Sequence, residues 1–501
     1  MATFSVPISL ISDSYKASHW LQYPDCTKMV AYGEFRGGFE KDKEDTRLVS
    51  YGVRYIVENY ISRRWTKEDV QKAALFHSTH RAPAHDQFPF PREVFERFVR
   101  ENAGYFPIKL EALPEGTCCH VHVPVFQLTA EGEYATLCTF LETILTQLWY
   151  PTSVATLSRR AKDVITRGFE RSADAGADSP LLNSRLQDFG FRGCTCVEQS
   201  ILGGSAHLLS FDGSDTMSAA YYVQFELNDG EAVATSIPAT EHSVMTSWPN
   251  EEAAIANMIE KFGDGFFSVV MDSYDYEKAL DEVIPAVAER QRAAGGTIVM
   301  RPDSGDPVEA VLMGLHAGEK TFGVDVNEKG FKVPRRWGVI QGDGINTAML
   351  AKILEAVLEA GFSAEAVVFG MGGGLLQKVN RDTMQFATKL CHIVYSDGSS
   401  RDIAKMPKSD AAKTSLPGVL AVKRVGGVPT VFPAETGEVA AGDNLLRVVY
   451  DRRPVQGVWD RFSVLRERVS REWSALPPTA DVISDSLKQK RLNVRKARLG
   501  E

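Results

Sequence analysis

About seven times between residues 185 and 374, a short apolar run ends in a polar or glycine-rich loop and a helical segment follows. The strand-to-loop points are Gln187–Gly193, His207–Asp215, Ser236–His242, Phe266–Asp275, Thr297–Asp306, Val339–Gly344 and Val367–Gly374. Strands that alternate with helices pair in parallel, because each helix returns the chain to the end it started from. The helices include Tyr274–Val287 and Asn346–Ala360, the latter with Asn346 as N-cap and Gly361 past its end. Intervals of roughly 25–40 residues suit an irregular parallel α/β barrel of the TIM type, with an open doubly wound sheet as the alternative. In either, the carboxyl ends of the strands share one face, so loop residues far apart in sequence converge.

The flanking segments follow another grammar. Gly116–Leu128 alternates like a strand, and Thr79–Pro91 is a Pro- and His-rich loop. Leu137, Phe140, Leu141, Ile144, Leu145 and Leu148 fall at helical spacing, which predicts an amphipathic helix over Thr136–Trp149 that Pro151 ends. After about residue 390, Leu420–Val425 and Leu445–Tyr450 read as strands and Val464–Trp473 as a helix, expected to return to the N-terminal domain. The expected division is residues 1–155 with 385–501 as a mainly β or α+β domain, and 156–384 as the barrel.

Net charge narrows the partners. A formal −9 over 501 residues gives no general attraction to nucleic acid, so an anionic ligand must be met by local Arg and Lys. The basic tail Lys488, Lys490, Arg491, Arg495, Lys496 and Arg498 reads as a solvated last helix. Met1–Leu10 lacks the basic start and apolar run of a signal peptide, and Ala135–Tyr150 is too short to span a bilayer. Seven cysteines without a disulfide-like pattern fit free thiols. A cytoplasmic protein without membrane or nucleic-acid partners is expected.

The chemistry-bearing residues sit in the strand-end loops. Val367–Lys378 runs a strand into Gly372, Gly373 and Gly374 and then a helix start, either a phosphate cradle built from backbone N–H groups or a tight packing corner. Arg381, Lys389, Lys405 and Lys413 follow, cations that suit a phosphate monoester or pyrophosphate when taken together. Arg301 and Asp303 end one strand, as a structural ion pair or as ligand contacts; Asp272 and Asp343 end others, and such carboxylates can bind ribose hydroxyls and a Mg²⁺ that carries pyrophosphate. His242 beside Glu241 is either structural or a nucleophile or acid–base group. Phe189 offers a ring to stack on a flat heteroaromatic, or simply core, with Arg192 as a donor beside it. Cys118, His120 and His122 share one strand face but lack a fourth ligand at zinc spacing, and Cys194 and Cys196 have the wrong spacing for a zinc or redox pair; no protein-bound metal is expected.

Taken in order, Asp13–Lys16, Leu141–Leu145, Trp149–Pro151, Asp188–Gly193, Gly203–His207, Gly213–Thr216, Glu241–Ser243, Asp272–Asp275, Arg301–Gly305, Ile340–Gly344 and Gly372–Lys378 resemble the nicotinate/nicotinamide phosphoribosyltransferase family over most of residues 8–415. The resemblance implies transfer of phosphoribosyl from phosphoribosyl pyrophosphate to nicotinamide, in a homodimer whose active sites are shared between subunits. It implies that Phe189 sandwiches nicotinamide against Tyr15 of the partner subunit, and that Asp215 accepts from the carboxamide. Arg192 and Arg301 are implied at the pyridine and phosphoribosyl group, and Asp303, Gly342 and Gly373 at ribose and phosphate. Arg381, Lys389 and Lys413 are implied cations across the dimer interface, and Asp13, Ser236, Ser268, Asp343 and Gly372 complete the expected substrate-binding set. His242 is implied to be phosphorylated by ATP, with Glu241, Asp272 and Asp303 beside it as the catalytic set. Mg²⁺ is expected to arrive on pyrophosphate.

Three positions depart from the family pattern. Gln187 stands where its best-known members carry His, Met371 replaces a small polar residue and Gly338 replaces an arginine, so base or inhibitor preference near Gln187 is expected to differ. Nicotinate is the rival substrate, but a carboxylate at position 215 would oppose its carboxylate. A non-catalytic protein would be expected to lose His242, Asp303 or the glycines; a Schiff-base aldolase would need a lysine alone at an apolar strand end.

Overall fold

The computed structural model describes residues 6–499 apart from 82, 84–85 and 407–413. The chain divides into two compact units, Met1–Ser153 with Asn380–Glu501, and Val154–Val379.

The first unit is built on a six-stranded antiparallel sheet in the order Ser400–Asp402, Ala387–Tyr395, Cys26–Glu34, Pro124–Glu131, Ile108–Ala112, Arg447–Asp451. Both ends of the chain contribute, because Ala387–Tyr395 and Arg447–Asp451 flank strands of the first third. Beside it Trp65 packs its ring 5.0 Å from Phe95, 5.1 Å from Phe98 and 5.4 Å from Phe106. Lys67–Thr79 is started by a capping box between Thr66 and Asp69, and Phe462–Ala475 and Asp485–Leu499 are the last helices.

Three sequence expectations fail here for physical reasons. Pro151 does not end a helix over Thr136–Trp149. Glu142–Thr146 is a short separate helix, and Pro151 lies in the first turn of a long one, Trp149–Ser172, where its missing N–H has no intrahelical partner to lose. Gly116–Leu128 is not one strand either. Thr117–His120 pairs with Arg47–Ser50, His122 turns the chain at φ +69°, and Pro124–Glu131 enters the large sheet. Cys118, His120 and His122 then meet different partners, respectively the Val469 carbonyl, the Thr46 hydroxyl and the Glu34 carboxylate. In the C-terminal helix Lys490 is not solvated; its ammonium lies between Asp402, at 2.8 Å, and Glu435.

The second unit is the parallel α/β barrel. Five parallel strands run in the order Leu186–Asp188, Val367–Met371, Trp337–Gln341, Thr297–Arg301, Phe266–Val270. Phe267, Ile298, Met300, Val339 and Phe369 are buried in them, as strands covered on both faces require. Isolated parallel bridges span the remaining gap: Asp188 to Ser214, Gly213 to Thr235, and Ala239 to Ser268. Backbone pairing thus passes from one edge strand to the other through two very short segments, which separates this irregular barrel from the open-sheet alternative.

His207–Asp215 was expected to begin as a strand. His207 instead ends the helix Val197–His207, and only Gly213 and Ser214 pair. Its buried ring lies 3.2 Å from both the Leu186 and Gly213 carbonyls. The expected helix Tyr274–Val287 begins at Tyr276 under an Asp275 cap and widens into a π turn at Ala279–Val283, where Pro285 supplies no N–H to the carbonyl four residues back. Asn346 caps Thr347–Glu359 through Met349 N–H at 3.0 Å, and Gly361 follows at φ +81°. Among the described residues no helix is long and apolar enough to cross a membrane.

Helix Pro307–Phe322 crosses the barrel strand at Trp337 through Gly318, where an added Cβ would lie 2.4 Å from two atoms of the indole. Ala in place of Gly favours a helix by about 1 kcal/mol, but overpacking a buried ring costs about 1–3 kcal/mol. Gly318→Ala is therefore expected to lower stability by up to about 2 kcal/mol, read as an earlier midpoint in urea unfolding.

Candidate functional site

At the carboxyl ends of the barrel strands, the first turn is set by Asp188. Its N–H donates to the Gly213 carbonyl at 3.1 Å, its carbonyl accepts from Asp215 N–H at 3.0 Å, and its Oδ1 accepts from Gly190 N–H at 2.7 Å. Phe189 N–H in turn donates to the Met371 carbonyl at 3.1 Å. The Phe189 ring lies so close to two neighbouring strand ends that an added Cβ on Gly370 would come within 2.0 Å of it, and one on Gly342 within 3.1 Å. Absence of side chains there gives the ring its place.

Phe189, Arg192, Asp215, Arg301, Gly342, Gly372 and Gly373, all expected from sequence, line one cavity of about 710 Å³. The Arg301 guanidinium sits over the Phe189 ring, 5.5 Å from its centroid. Asp215 is exposed and accepts from the Ser236 hydroxyl at 2.5 Å. The two readings of the glycine run divide between its members. A Cβ on Gly374 would strike the Ile345 carbonyl at 2.4 Å, a packing constraint, whereas Gly373 meets only the tip of Gln377 at 3.5 Å and opens on the cavity.

Arg301 connects this cavity to the histidine. Its Nη2 donates to Asp303 Oδ1 at 2.6 Å, and Asp303 Oδ2 lies 3.4 Å from His242 Nε2. Asp272 holds Asp303 from behind: its Oδ2 accepts from Asp303 N–H at 3.0 Å and from the Ser304 hydroxyl at 2.5 Å. Asp272 Oδ1 is 3.9 Å from His242 Nε2 and is buried without a hydrogen-bond partner. His242 Nδ1 lies 3.1 Å from the Ser273 hydroxyl. Two carboxylates beside Nε2 favour the proton there, leaving the lone pair on Nδ1. The Glu241 carboxylate turns instead to the Ser243 hydroxyl. Ser268 is buried in its strand with an unpartnered hydroxyl, and Asp343 is exposed in the turn whose carbonyl accepts from Gln341.

The remaining expected residues belong to the other unit. Asp13 accepts from the Thr143 hydroxyl at 2.9 Å, Tyr15 is 54% exposed and meets His19 edge-on, and Arg381 is exposed. Lys389 donates to the Thr388 carbonyl, and burial, with Arg36 nearby, lowers its pKa from the usual lysine value. Lys413 lies outside the described residues.

Cavity residues that carried no role in the sequence reading include Asp188, Thr216, Met217, Ser218 and Gln377. Asp188 is fully buried, and burial pushes its carboxyl up to about 6. The sequence held one signal for it, an acidic residue at the tip of an apolar strand immediately before the ring that lines the cavity. Among the described residues no group of three or more His, Cys, Asp or Glu side chains is arranged to hold a metal ion.

The nicotinate phosphoribosyltransferase (NAPRTase) family model matches residues 184–453, and the nicotinamide phosphoribosyltransferase N-terminal domain matches residues 7–110. A Xanthomonas campestris pv. campestris protein named nicotinamide phosphoribosyltransferase is 38% identical over 467 residues, covering 91% of this chain and 95% of its own. A protein of the same name from Acinetobacter baylyi is 29% identical over 463 residues, covering 86% and 90%. The crystal structure of human nicotinic acid phosphoribosyltransferase shares the fold with a TM-score of 0.59 at 18% identity, over 97% of this chain and all of that one. A nicotinate-nucleotide pyrophosphorylase from Pyrococcus furiosus does so with a TM-score of 0.61 at 15% identity, over 94% and 97%. With a family match over more than half its length and a relative 38% identical across nearly all of it, the chain belongs to the nicotinate phosphoribosyltransferase (NAPRTase) family.

Proposed function

We propose that the chain transfers the 5-phosphoribosyl group of phosphoribosyl pyrophosphate to nicotinamide, releasing nicotinamide mononucleotide and pyrophosphate in NAD salvage. The observation that carries this reading is the single cavity in which Phe189, Asp215, Arg301 and Gly373 meet. The name borne by the relatives at 38% and 29% identity supports the same substrate.

The pyridine nitrogen already has a free lone pair, so no base is needed. Its lone pair forms the bond to ribose C1 as the C1–oxygen bond to pyrophosphate breaks, and the protein's task is alignment and charge. Phe189 stacks on the ring, and Asp215 accepts from the carboxamide NH₂. Arg301 and the open backbone at Gly373 meet the phosphates, while Asp303 answers the positive charge that grows on the ribose. A carboxylate substrate would face Asp215 directly, which disfavours nicotinate.

Mg²⁺ fits as a cation carried chiefly on pyrophosphate oxygens and water: Asp272 offers one unpartnered carboxylate oxygen, and among the described residues no group of three or more such ligands is arranged as a cage. When bound, it neutralises the leaving group. In this reading the His242 Nδ1 lone pair takes the terminal phosphoryl group of ATP as the bond to ADP breaks, and the Asp303 carboxylate 3.4 Å from Nε2 supports the reading. The new charge beside Asp303 then couples ATP hydrolysis to turnover. Arg381, Lys389, Lys413 and Tyr15 complete the site from a second subunit of a cytoplasmic homodimer.

Incubation with nicotinamide, phosphoribosyl pyrophosphate and Mg²⁺ is expected to give the mononucleotide by mass; no product with a folded protein contradicts the reading. Asp215→Asn is expected to narrow the kcat/KM preference for nicotinamide over nicotinate by roughly tenfold, the worth of one charged hydrogen bond; an unchanged ratio removes that role. His242→Ala is expected to lose ATP stimulation and keep basal transfer, and abolition of both in a folded protein contradicts it.

A further inference from the structure

Asp188 borders the cavity where the base is placed but is itself fully buried, and it ties together the loops that line that cavity. Its backbone pairs on both sides with the Gly213–Asp215 segment. Its Oδ1 holds Gly190 N–H at 2.7 Å and so fixes the residue after Phe189. The opposite oxygen, Oδ2, points at helix Val197–His207, where a Cβ on Gly204 would lie 3.0 Å from it and 2.4 Å from Ala219. Oδ2 and the nearby Thr216 hydroxyl are both buried without a hydrogen-bond partner, so the bond from Gly190 N–H to Oδ1 is the contact the side chain makes. Burying a carboxylate this completely costs free energy unless its contacts are needed, because a neutral side chain of similar shape would meet no such penalty.

We infer that Asp188 is a positioning residue for the nicotinamide base: it fixes the Phe189 ring relative to the Asp215 carboxylate and so sets affinity for the base. This inference rests on the base site proposed above. A purely architectural role would be felt by both substrates. A role at this junction is felt by the base alone, since the Arg301–Asp303 arm is hydrogen-bonded to Asp272 and not to Asp188.

The charge state of Asp188 gives a second, independent handle. The titratable groups facing it are Asp215, which raises its pKa, and the Cys194 thiol, whose own pKa it raises; the buried His207 bonds to the carbonyls on either side. Burial dominates and sets the carboxyl at about 6 against an ordinary 3.8. Above that pH the group is a carboxylate and grips Gly190 N–H with a charge-assisted bond; below it the neutral acid is a weaker acceptor. The base site is thus expected to loosen as pH falls through about 6.

Steady-state kinetics of the full-length protein tests this, beginning with the wild type. Failure of the wild type to use nicotinamide counts against the base site itself and not against Asp188. Given turnover, Asp188→Ala is expected to raise KM for nicotinamide about tenfold, the worth of a charged hydrogen bond, with kcat and KM for phosphoribosyl pyrophosphate within about twofold. Asp188→Asn keeps an acceptor for Gly190 and stands in if the alanine variant does not fold. It is expected to raise the nicotinamide KM about threefold at pH 7.5, as a neutral acceptor replaces a charged one. It is also expected to abolish the extra rise that the wild type shows between pH 7.5 and 5.5. An unchanged nicotinamide KM, an equal rise for both substrates, or the same pH profile in wild type and Asp188→Asn overturns the inference.

Discussion

One ion pair organises the candidate site. Arg301 reaches over the Phe189 ring with its guanidinium and is anchored by Asp303 at 2.6 Å, while the other oxygen of Asp303 faces His242 at 3.4 Å. An exposed pair of this kind contributes little to stability. Both residues here are about three-quarters buried, and Asp272 braces the aspartate from behind through the backbone and Ser304. The pair therefore acts as a fixed strut. It spans from an aromatic floor to a histidine that come from strands far apart in sequence.

The barrel makes this strut possible by what it omits. Gly370 and Gly342 lack the atoms that would push Phe189 out, and Gly373 leaves backbone facing the cavity. The barrel is also irregular where the site needs freedom. Between Leu186–Asp188 and Phe266–Val270 the regular ladder gives way to single bridges at Ser214, Thr235 and Ala239, and Asp215 and Ser236 emerge from those segments. Short pairing fixes the segments without burying every polar group they carry. Asp215 can thus remain exposed at a strand end and still hold the Ser236 hydroxyl.

Much of this was legible from the chain alone. Repeated strand–loop–helix units imply parallel strands, open or closed, and Phe189, Asp215, Arg301, Gly342 and Gly373 from separate loop starts line one cavity. The errors have one cause, a local pattern overridden by context. Pro151 reads as a helix stop but serves as a helix start, and His122 breaks a strand whose alternation is otherwise unbroken. The long strand Ala387–Tyr395 went unseen because its lysine and histidine interrupt the apolar pattern. Asp188 was missed because composition says nothing about burial. Its importance follows from being fully enclosed and bonded both to the Gly213–Asp215 segment and to Gly190, a property of three-dimensional packing.

The central claim is that the strand tips around Phe189 form the base site. Its most direct test is a crystal structure of the protein with nicotinamide. The account predicts the pyridine ring parallel to Phe189, with its amide nitrogen within hydrogen-bond distance of Asp215. Ordered nicotinamide bound elsewhere, with the Phe189 cavity filled only by solvent, contradicts it.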